Sequence, residues 1–188
     1  MAFLLDPSLP FIYNDYKLKE AIWKMKQTHD NLKEAFAGES MANRKYLAFA
    51  RQADAEGFHQ AAKLFRAAAE AETIHATDHL KALGMINSTE ENLKAAIEGE
   101  TYEFTKMYPD FIAAAKEENA GIIAKKLELV GKAEAVHAGL YQKALKSLGS
   151  EETTDLFLCT VCGHIAEGEA PDNCPICGAR KQAYRKID

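Results

Sequence analysis

The chain has 188 residues, 47% hydrophobic and 27% charged, which suffices for one well-packed domain and a small appendage. Its net charge of −5 removes the electrostatic reason to expect nucleic acid, a partner that calls for a concentrated basic face. The longest apolar runs fall far short of the roughly 20 residues of a membrane span, and the start MAFLLDPSLPF lacks a basic leader and carries Asp6 inside its brief apolar stretch. Neither a membrane helix nor a secretory signal is therefore expected, and a cytoplasmic location is.

Residues 1–27 read as an N-terminal extension without chemistry; segment 17–26, with Leu18, Ile22, Trp23 and Met25, has the pattern of a helix that packs on a helical bundle or prolongs its first helix. Residues 28–149 are rich in Ala, Leu, Glu and Lys, and their apolar residues recur at helical spacing, which predicts four long helices. The first runs from near His29 to Glu56, with Leu32, Phe36, Glu39, Tyr46, Leu47 and Ala50 on one stripe, and Gly57 breaks it. The second places Leu64, Phe65, Ala68, Glu72, His75 and His79 inward and stops at Gly84. Ser88-Thr89-Glu90-Glu91 is a capping-box start for the third, whose inner face carries Leu93, Ile97, Glu100, Glu103, Phe104 and Met107. Pro109 predicts a kink or restart after Tyr108. The fourth runs from about Asn119 to Leu148, with Ile123, Leu127, Val130, Glu134, His137 and Tyr141 inward, and Gly149 ends it. Residues 150–155 read as a polar linker and 156–188 as a second, small domain.

Two of these helices carry Glu-x-x-His, as Glu72/His75 and Glu134/His137, a spacing that puts carboxylate and imidazole on one face. Glu39 and Glu100 add one inward carboxylate from each remaining helix, which completes the ligand set that di-iron bundles draw from four helices. Heights agree: counted from the Gly57 break at about 1.5 Å per residue, Glu39 and Glu72 both lie about 22 to 27 Å away. The separations from Glu39 to Glu72 and from Glu100 to Glu134 are nearly equal, so the two halves repeat one scheme. Burying four carboxylates without counter-charge is costly enough to demand metal. Glu70, Glu98, Glu117 and Glu128 read as exposed helix charges, His29, His59 and His164 as surface or packing residues, and His79 as core, with a partner of the ligands one turn beyond His75 as its other reading. Glu103 breaks the repeat, since Ala42 stands at the matching place after Glu39. Two ferrous ions are balanced by four carboxylates, whereas two ferric ions call for a further anion, so Glu103 and neutral His75 read as alternative ligands of one iron in the two redox states.

All four cysteines lie in the last 30 residues, as Cys159-x-x-Cys162-Gly163 and Cys174-x-x-Cys177-Gly178. In a chain with no export signal such pairs read as ligation or redox chemistry. Two glycine-closed knuckles make a four-thiolate site for zinc or for one iron, and spacing alone does not choose between them. The upstream di-metal site favours iron, and the near balance of acidic and basic residues after residue 155 weakens a nucleic-acid-binding ribbon.

Taken together, Glu39 within FAGESMANRKY, Glu72-x-x-His75, Glu100-x-x-Glu103 before Tyr108-Pro109-Asp110-Phe111, Glu134-x-x-His137 and the four-cysteine tail resemble the rubrerythrin family from Asn31 to the C-terminus. The resemblance implies an all-α ferritin-like four-helix bundle with a C-terminal rubredoxin-like (zinc-ribbon-like) domain. It further implies a peroxidase of oxidative-stress defence that reduces hydrogen peroxide to water with two irons, recharged by electrons through a third at Cys159, Cys162, Cys174 and Cys177. Those electrons would come from a donor protein or NAD(P)H-dependent reductase. By the same resemblance Tyr46 and Tyr108 become pocket tyrosines bonded to ligand carboxylates, with aromatic packing as the other reading. Two further readings are an iron-sequestering ferroxidase cage, against which the cysteine tail speaks, and an interaction protein with zinc in the cysteines.

In the family-like arrangement helices two and three run parallel, so their connection must return about 30 Å along the bundle. The link from Gly84 to Thr89 reaches at most about 18 Å. A domain-swapped homodimer is therefore expected, each site taking Glu39, Glu72 and His75 from one chain and Glu100, Glu103, Glu134 and His137 from the other, with an all-antiparallel monomeric bundle as the competing solution.

Overall fold

The computed structural model describes the backbone of residues 11–150 and 152–188, and side chains from residue 25 onward except 151. The expectations that rest on Asp6 and on the side chains of Leu18, Ile22 and Trp23 lie outside the described residues. Helix α1 (Phe11–Ala55) is continuous, so segment 17–26 prolongs the first helix. It ends where Gly57 takes a φ of +84°, a left-handed conformation that glycine adopts without a Cβ penalty. After this turn α2 (His59–Ala82) runs back along α1.

The seam of this hairpin is made of small residues: Ala50, Ala53, Ala62, Ala69 and Ala76 are buried. Alanine on facing stripes lets two helices approach closely, and the larger aromatics Tyr46, Phe49 and Phe65 cluster beside the seam, the last two with rings 5.6 Å apart edge to face. One polar side chain is buried in the seam. Asn43 donates to the Ala69 carbonyl at 2.7 Å and to Thr73 Oγ1 at 2.8 Å, and it accepts from Arg44 Nε at 2.9 Å. These bonds fix the sliding register of α1 against α2 one turn from Glu39 and Glu72. At the far end Asp54 holds His59 and Arg66 across the turn.

The chain divides into two compact units, up to Ile86 and from Asn87, and the division falls in the short link after α2. The second unit opens at α3 (Thr89–Tyr102), whose start is the expected capping box: Ser88 Oγ accepts from the Glu91 backbone N–H while the Glu91 carboxylate accepts from Ser88 N–H. A π-helical turn over Glu103–Met107 follows, in which Tyr108 N–H reaches back to the Glu103 carbonyl, and α4 (Tyr108–Glu117) continues the rod. The kink or restart expected at Pro109 is thus realised as a wider turn ahead of it, with Pro109 in the first turn of α4, where no N–H is needed. Asn119, at φ +59°, turns the chain into α5 (Gly121–Lys146), which packs on α3 and α4 through the buried alanines Ala115, Ala124, Ala133 and Ala138.

The tail is a three-stranded antiparallel sheet with β1 (Leu156–Cys159) between β2 (Ile165–Glu167) and β3 (Tyr184–Ile187). Its core is not aliphatic. Cys159, Cys162 and Cys174 are buried together, and Leu129 of α5, Ile176 and Tyr184 pack around them. Four helical rods followed by a small four-cysteine β module are the architecture that the residue pattern led us to expect. No helix among the described residues is long and apolar enough to cross a membrane.

Replacing Asn43 by Ala removes both α1–α2 hydrogen bonds and leaves Thr73 and Ala69 to pair with each other alone. The expected loss is roughly 1–3 kcal/mol of stability, read as a lower midpoint in denaturant unfolding; an unchanged midpoint would show that the alanine seam sets the register unaided.

Candidate metal centres

Each unit brings together one half of the carboxylate set. In the first, ligand atoms of Glu39 on α1 and of Glu72 and His75 on α2 lie within 4.8 Å of one another. His75 Nδ1 is 2.9 Å from Glu72 Oε2, and the imidazole is largely exposed whereas the carboxylate is mostly covered. In the second, Glu100 on α3 and Glu134 and His137 on α5 form the matching cluster within the same limit. The repeated scheme of one glutamate facing Glu-x-x-His is thus present twice, once per helix pair.

Among the described residues nothing cationic other than histidine neutralises the second cluster: the ion-pair contacts of Glu100 and Glu134 are to His137, at 3.9 and 2.7 Å. Burial, together with a hydrogen bond to Glu134 and that group's negative charge, pushes the Glu100 carboxyl up to about 7. Glu103, the first residue of the π-helical turn, stands just outside this set but feels it, since burial and the charge of Glu134 raise its carboxyl too. Tyr108 closes the other side. Its hydroxyl is raised by burial and by the charges of Glu134, Glu103 and Glu100, and its ring sits over Gly131, where a Cβ would come within 3.1 Å of the tyrosine's own. Gly131 therefore creates the space that lets Tyr108 approach the carboxylates. Tyr46 shows aromatic packing, with no hydrogen bond to a ligand carboxylate among the described residues.

Carboxylates that repel one another and hold a proton near neutrality suit a multiply charged cation, and with imidazole they make a donor set for iron. The cysteines pass a stricter geometric test. Cys159 Sγ and Cys177 Sγ are 3.8 Å apart, Cys162 Sγ and Cys174 Sγ 3.5 Å apart, far longer than a disulfide. A tetrahedral metal with bonds of about 2.3 Å to sulfur requires edges of about 3.8 Å. The knuckles are built alike: Gly163 N–H returns to the Cys159 carbonyl and Gly178 N–H to that of Cys174, both glycines at positive φ. Burial pushes the Cys162 thiol up. It acts the same way on Cys174, but there hydrogen bonds from Tyr184 and from the backbone N–H groups of Cys177 and Ile176 outweigh it and bring the thiol down to about 6.

The two kinds of centre meet at His137. Its Nδ1 faces Glu134, and its Nε2 lies 2.8 Å from the carbonyl of Gly163, the residue after Cys162. A hydrogen bond from Nε2–H to that carbonyl selects the tautomer whose Nδ1 lone pair is available to a cation beside Glu134. A cavity of about 420 Å3 lies against His137, lined by Leu140, Tyr141, Ile165 and Glu167, with Lys143 bridging to Glu167 at 2.8 Å. The pattern of residues gave no sign of Leu129, Tyr184 or His164 as parts of a site, nor of the Gly163 carbonyl as a partner of His137, because each enters through a contact between α5 or β3 and a knuckle distant in sequence. His164, expected at the surface or in packing, is buried and bonded to Tyr184.

Residues 30–145 match the family described as Rubrerythrin, and residues 157–185 match that described as Rubrerythrin, rubredoxin-like domain. The chain is 35% identical to nigerythrin of Nitratidesulfovibrio vulgaris over 84% of this chain and 85% of that one. It is 38% identical to rubrerythrin of Porphyromonas gingivalis over 86% and 90%. Among solved structures it resembles nigerythrin in its mixed-valence state at a TM-score of 0.53 and 35% identity, covering 85% of this chain and 86% of that one. The fully reduced, all-ferrous nigerythrin structure matches equally well, at 0.53 and 34% over the same shares.

Crowding at Glu100 has a signature in the metal-free protein. A carboxyl raised from 4.5 in the unfolded chain to about 7 in the folded one makes the folded state bind more protons between those values, so this group's contribution to stability is fully present below 4.5 and is lost as pH rises through about 7. Thermal unfolding of metal-free protein should show a melting temperature that falls across this window, and Glu100→Gln should flatten it. A wild-type profile that rises or stays level across the window would contradict the crowding.

Proposed function

The chain belongs to the rubrerythrin family, and on that premise we propose that it is a cytoplasmic peroxidase that reduces hydrogen peroxide to water. The family is one of di-iron oxidoreductases with an added rubredoxin-like iron, and both donor sets are present here. The observation that carries the reading is the imidazole of His137, with Nδ1 2.7 Å from a Glu134 carboxylate oxygen and Nε2 2.8 Å from the carbonyl of Gly163 in a cysteine knuckle. A cage that only stores iron has no use for such a bridge, nor has a zinc-stabilised interaction module.

Peroxide takes up two electrons and two protons to become two waters; iron, when bound, supplies those electrons at the carboxylate centre and replaces them from the cysteine centre. The chain's own residues supply the rest. Glu39, Glu72, Glu100 and Glu134 provide negative charge matched to the reduced pair, and His75 and His137 complete the set. Glu103 and His75 act as alternative donors, the carboxylate for the more highly charged oxidised state and the neutral imidazole for the reduced one. The π-helical turn beginning at Glu103 gives that side chain a backbone that departs from regular α register, as is common at functional sites. Tyr108 places a hydroxyl beside the carboxylates where substrate oxygens can be hydrogen-bonded. From Cys162 to Nε2 of His137 the path is the backbone through Gly163 and one hydrogen bond, which suits electron delivery from a donor protein or NAD(P)H-dependent reductase.

The protein acts as a domain-swapped homodimer in this reading. Each helix pair carries half of the ligands, and each leaves large apolar side chains exposed, Met41, Phe49 and Ile74 in the first unit, Tyr102, Phe111 and Ile123 in the second. The link from Gly84 to Thr89 is too short for the return that a parallel arrangement within one chain requires.

Reduced, iron-loaded protein should be reoxidised by hydrogen peroxide. Glu134→Ala should lose this reaction by at least roughly 100-fold, the upper end of what loss of an outer-shell partner does to a metal site, while the red ferric four-thiolate colour remains. Retention of full peroxide turnover would refute the site. The swap is tested by complementation: Glu72→Ala and Glu134→Ala chains, each inactive, are unfolded together and refolded with iron. In a swapped heterodimer one site receives both defects and the other none, so activity returns; heterodimers that stay as inactive as either parent would rule the swap out.

A further inference from the structure

Among the described residues two polar side-chain contacts join α5 to the cysteine module. His137 Nε2 lies 2.8 Å from the Gly163 carbonyl, and Lys143 Nζ lies 2.8 Å from Glu167 Oε2. Their order along the two elements is the same. Lys143 follows His137 by about 9 Å of helix axis, and Glu167 closes β2, the strand that begins just after Gly163. The strand is therefore laid along α5 and pinned at each end. Between the pins packing is incomplete, since Leu140 and Tyr141 of α5 and Ile165 of β2 line the cavity of about 420 Å3.

A void forfeits the van der Waals contacts that would otherwise fasten strand to helix, so the seat depends on the two pins. The covalent link gives little help: it enters the sheet at β1, whereas β2 is an edge strand. Leu129 packs on the buried cysteines about two turns before His137. Removing the ion pair thus leaves the contacts at one end and lets the Glu167 end lift, with the module pivoting about its single hydrogen bond. We infer that Lys143 and Glu167 are positioning residues of the electron path: their ion pair seats β2 on α5 and holds the Gly163 carbonyl against His137.

This inference rests on the reading that electrons cross from the cysteine centre to the carboxylate centre by way of that carbonyl and imidazole. It adds the pair of charges that keeps the crossing closed. The two side chains are 65% and 32% exposed, so salt screens them and the seat loosens as ionic strength rises.

The test has one readout without iron and one with it. In full-length, zinc-loaded protein carrying isotope-labelled histidine, solvent exchange of the His137 Nε2 proton is followed by NMR. The proteins are wild type, Lys143→Met, Glu167→Gln and the charge swap Lys143→Glu/Glu167→Lys. Each single variant should speed the exchange about two- to fivefold, the range that an exposed ion pair sets, at the wild-type melting temperature. The swap should restore slow exchange, and salt should move wild type toward the single variants. In the second readout reduced, iron-loaded protein is mixed with hydrogen peroxide. Return of the red colour reports one electron leaving the cysteine iron, ferrous to ferric, for a ferric ion at the carboxylate centre. That return should slow by the same factor in the single variants and recover in the swap. Equal exchange in wild type and both single variants would overturn the proposal. A swap that leaves exchange fast would trace the effect to lost packing of the side-chain stems and overturn the role of the charges. Faster exchange with an unchanged return of colour would overturn the path through His137 and the pair's part in it. No return of colour even in wild type would overturn the relay reading itself, while the exchange data still decide whether the pair seats the strand.

Discussion

Like charges drawn together inside a helix pair are the constraint around which the rest of this protein is arranged. Glu100, Glu134 and His137 converge with no lysine or arginine among them, and Glu39, Glu72 and His75 repeat the arrangement. A water-filled surface would tolerate such a group, whereas a partly covered one does so by holding a proton or by binding a cation. The elevated carboxyl of Glu100 is the first response, and metal is the second. Helix geometry is then dictated by the need to keep these groups at one level. Alanine seams set close spacing, Asn43 sets register, and Gly131 leaves a gap for an aromatic ring.

Much of this was legible in the residues because helix faces and helix ends are local properties. Ser88 and Glu91 announce a start, Gly57 and Gly84 announce stops at positive φ, and the three-residue spacing of Glu72/His75 and Glu134/His137 places both donors on one stripe whatever the helix packs against. The cysteine knuckles are equally local, each closed by its own glycine. The beginning of α1 was harder to read: segment 17–26 has helical pattern, but nothing in it marks a boundary, so the first helix begins at Phe11 and not near His29.

What escaped the residue pattern is whatever depends on contact between distant segments. Histidine at 164 gives no indication of a buried partner until β3 folds back to bring Tyr184 beside it. Leu129 looks like one more apolar helix residue, yet it forms part of the wall around the thiols. The link between His137 and Gly163 spans 26 positions and depends on how the module docks on α5. These contacts share a physical character. Each is a single hydrogen bond or van der Waals contact made by a residue whose type is compatible with many other surroundings, so type and spacing carry no signal for it.

The π-helical turn at Glu103–Met107 makes the length of the α3–α4 rod a setting of its own. An α-helix advances about 100° per residue, and a π turn accommodates one residue more than an α turn without breaking the hydrogen-bonded rod. Deleting one residue there would let the segment relax to α register and would rotate the face bearing Glu100 by about 100° relative to Tyr108. The chain could remain fully helical and still lose the alignment between carboxylate and phenol. Lineages that carry this rod are thus constrained in residue number as well as in residue type: an indel between Glu100 and Tyr108 acts as a rotation of the site, and an insertion in one part of the segment is compensated only by a deletion in the same stretch.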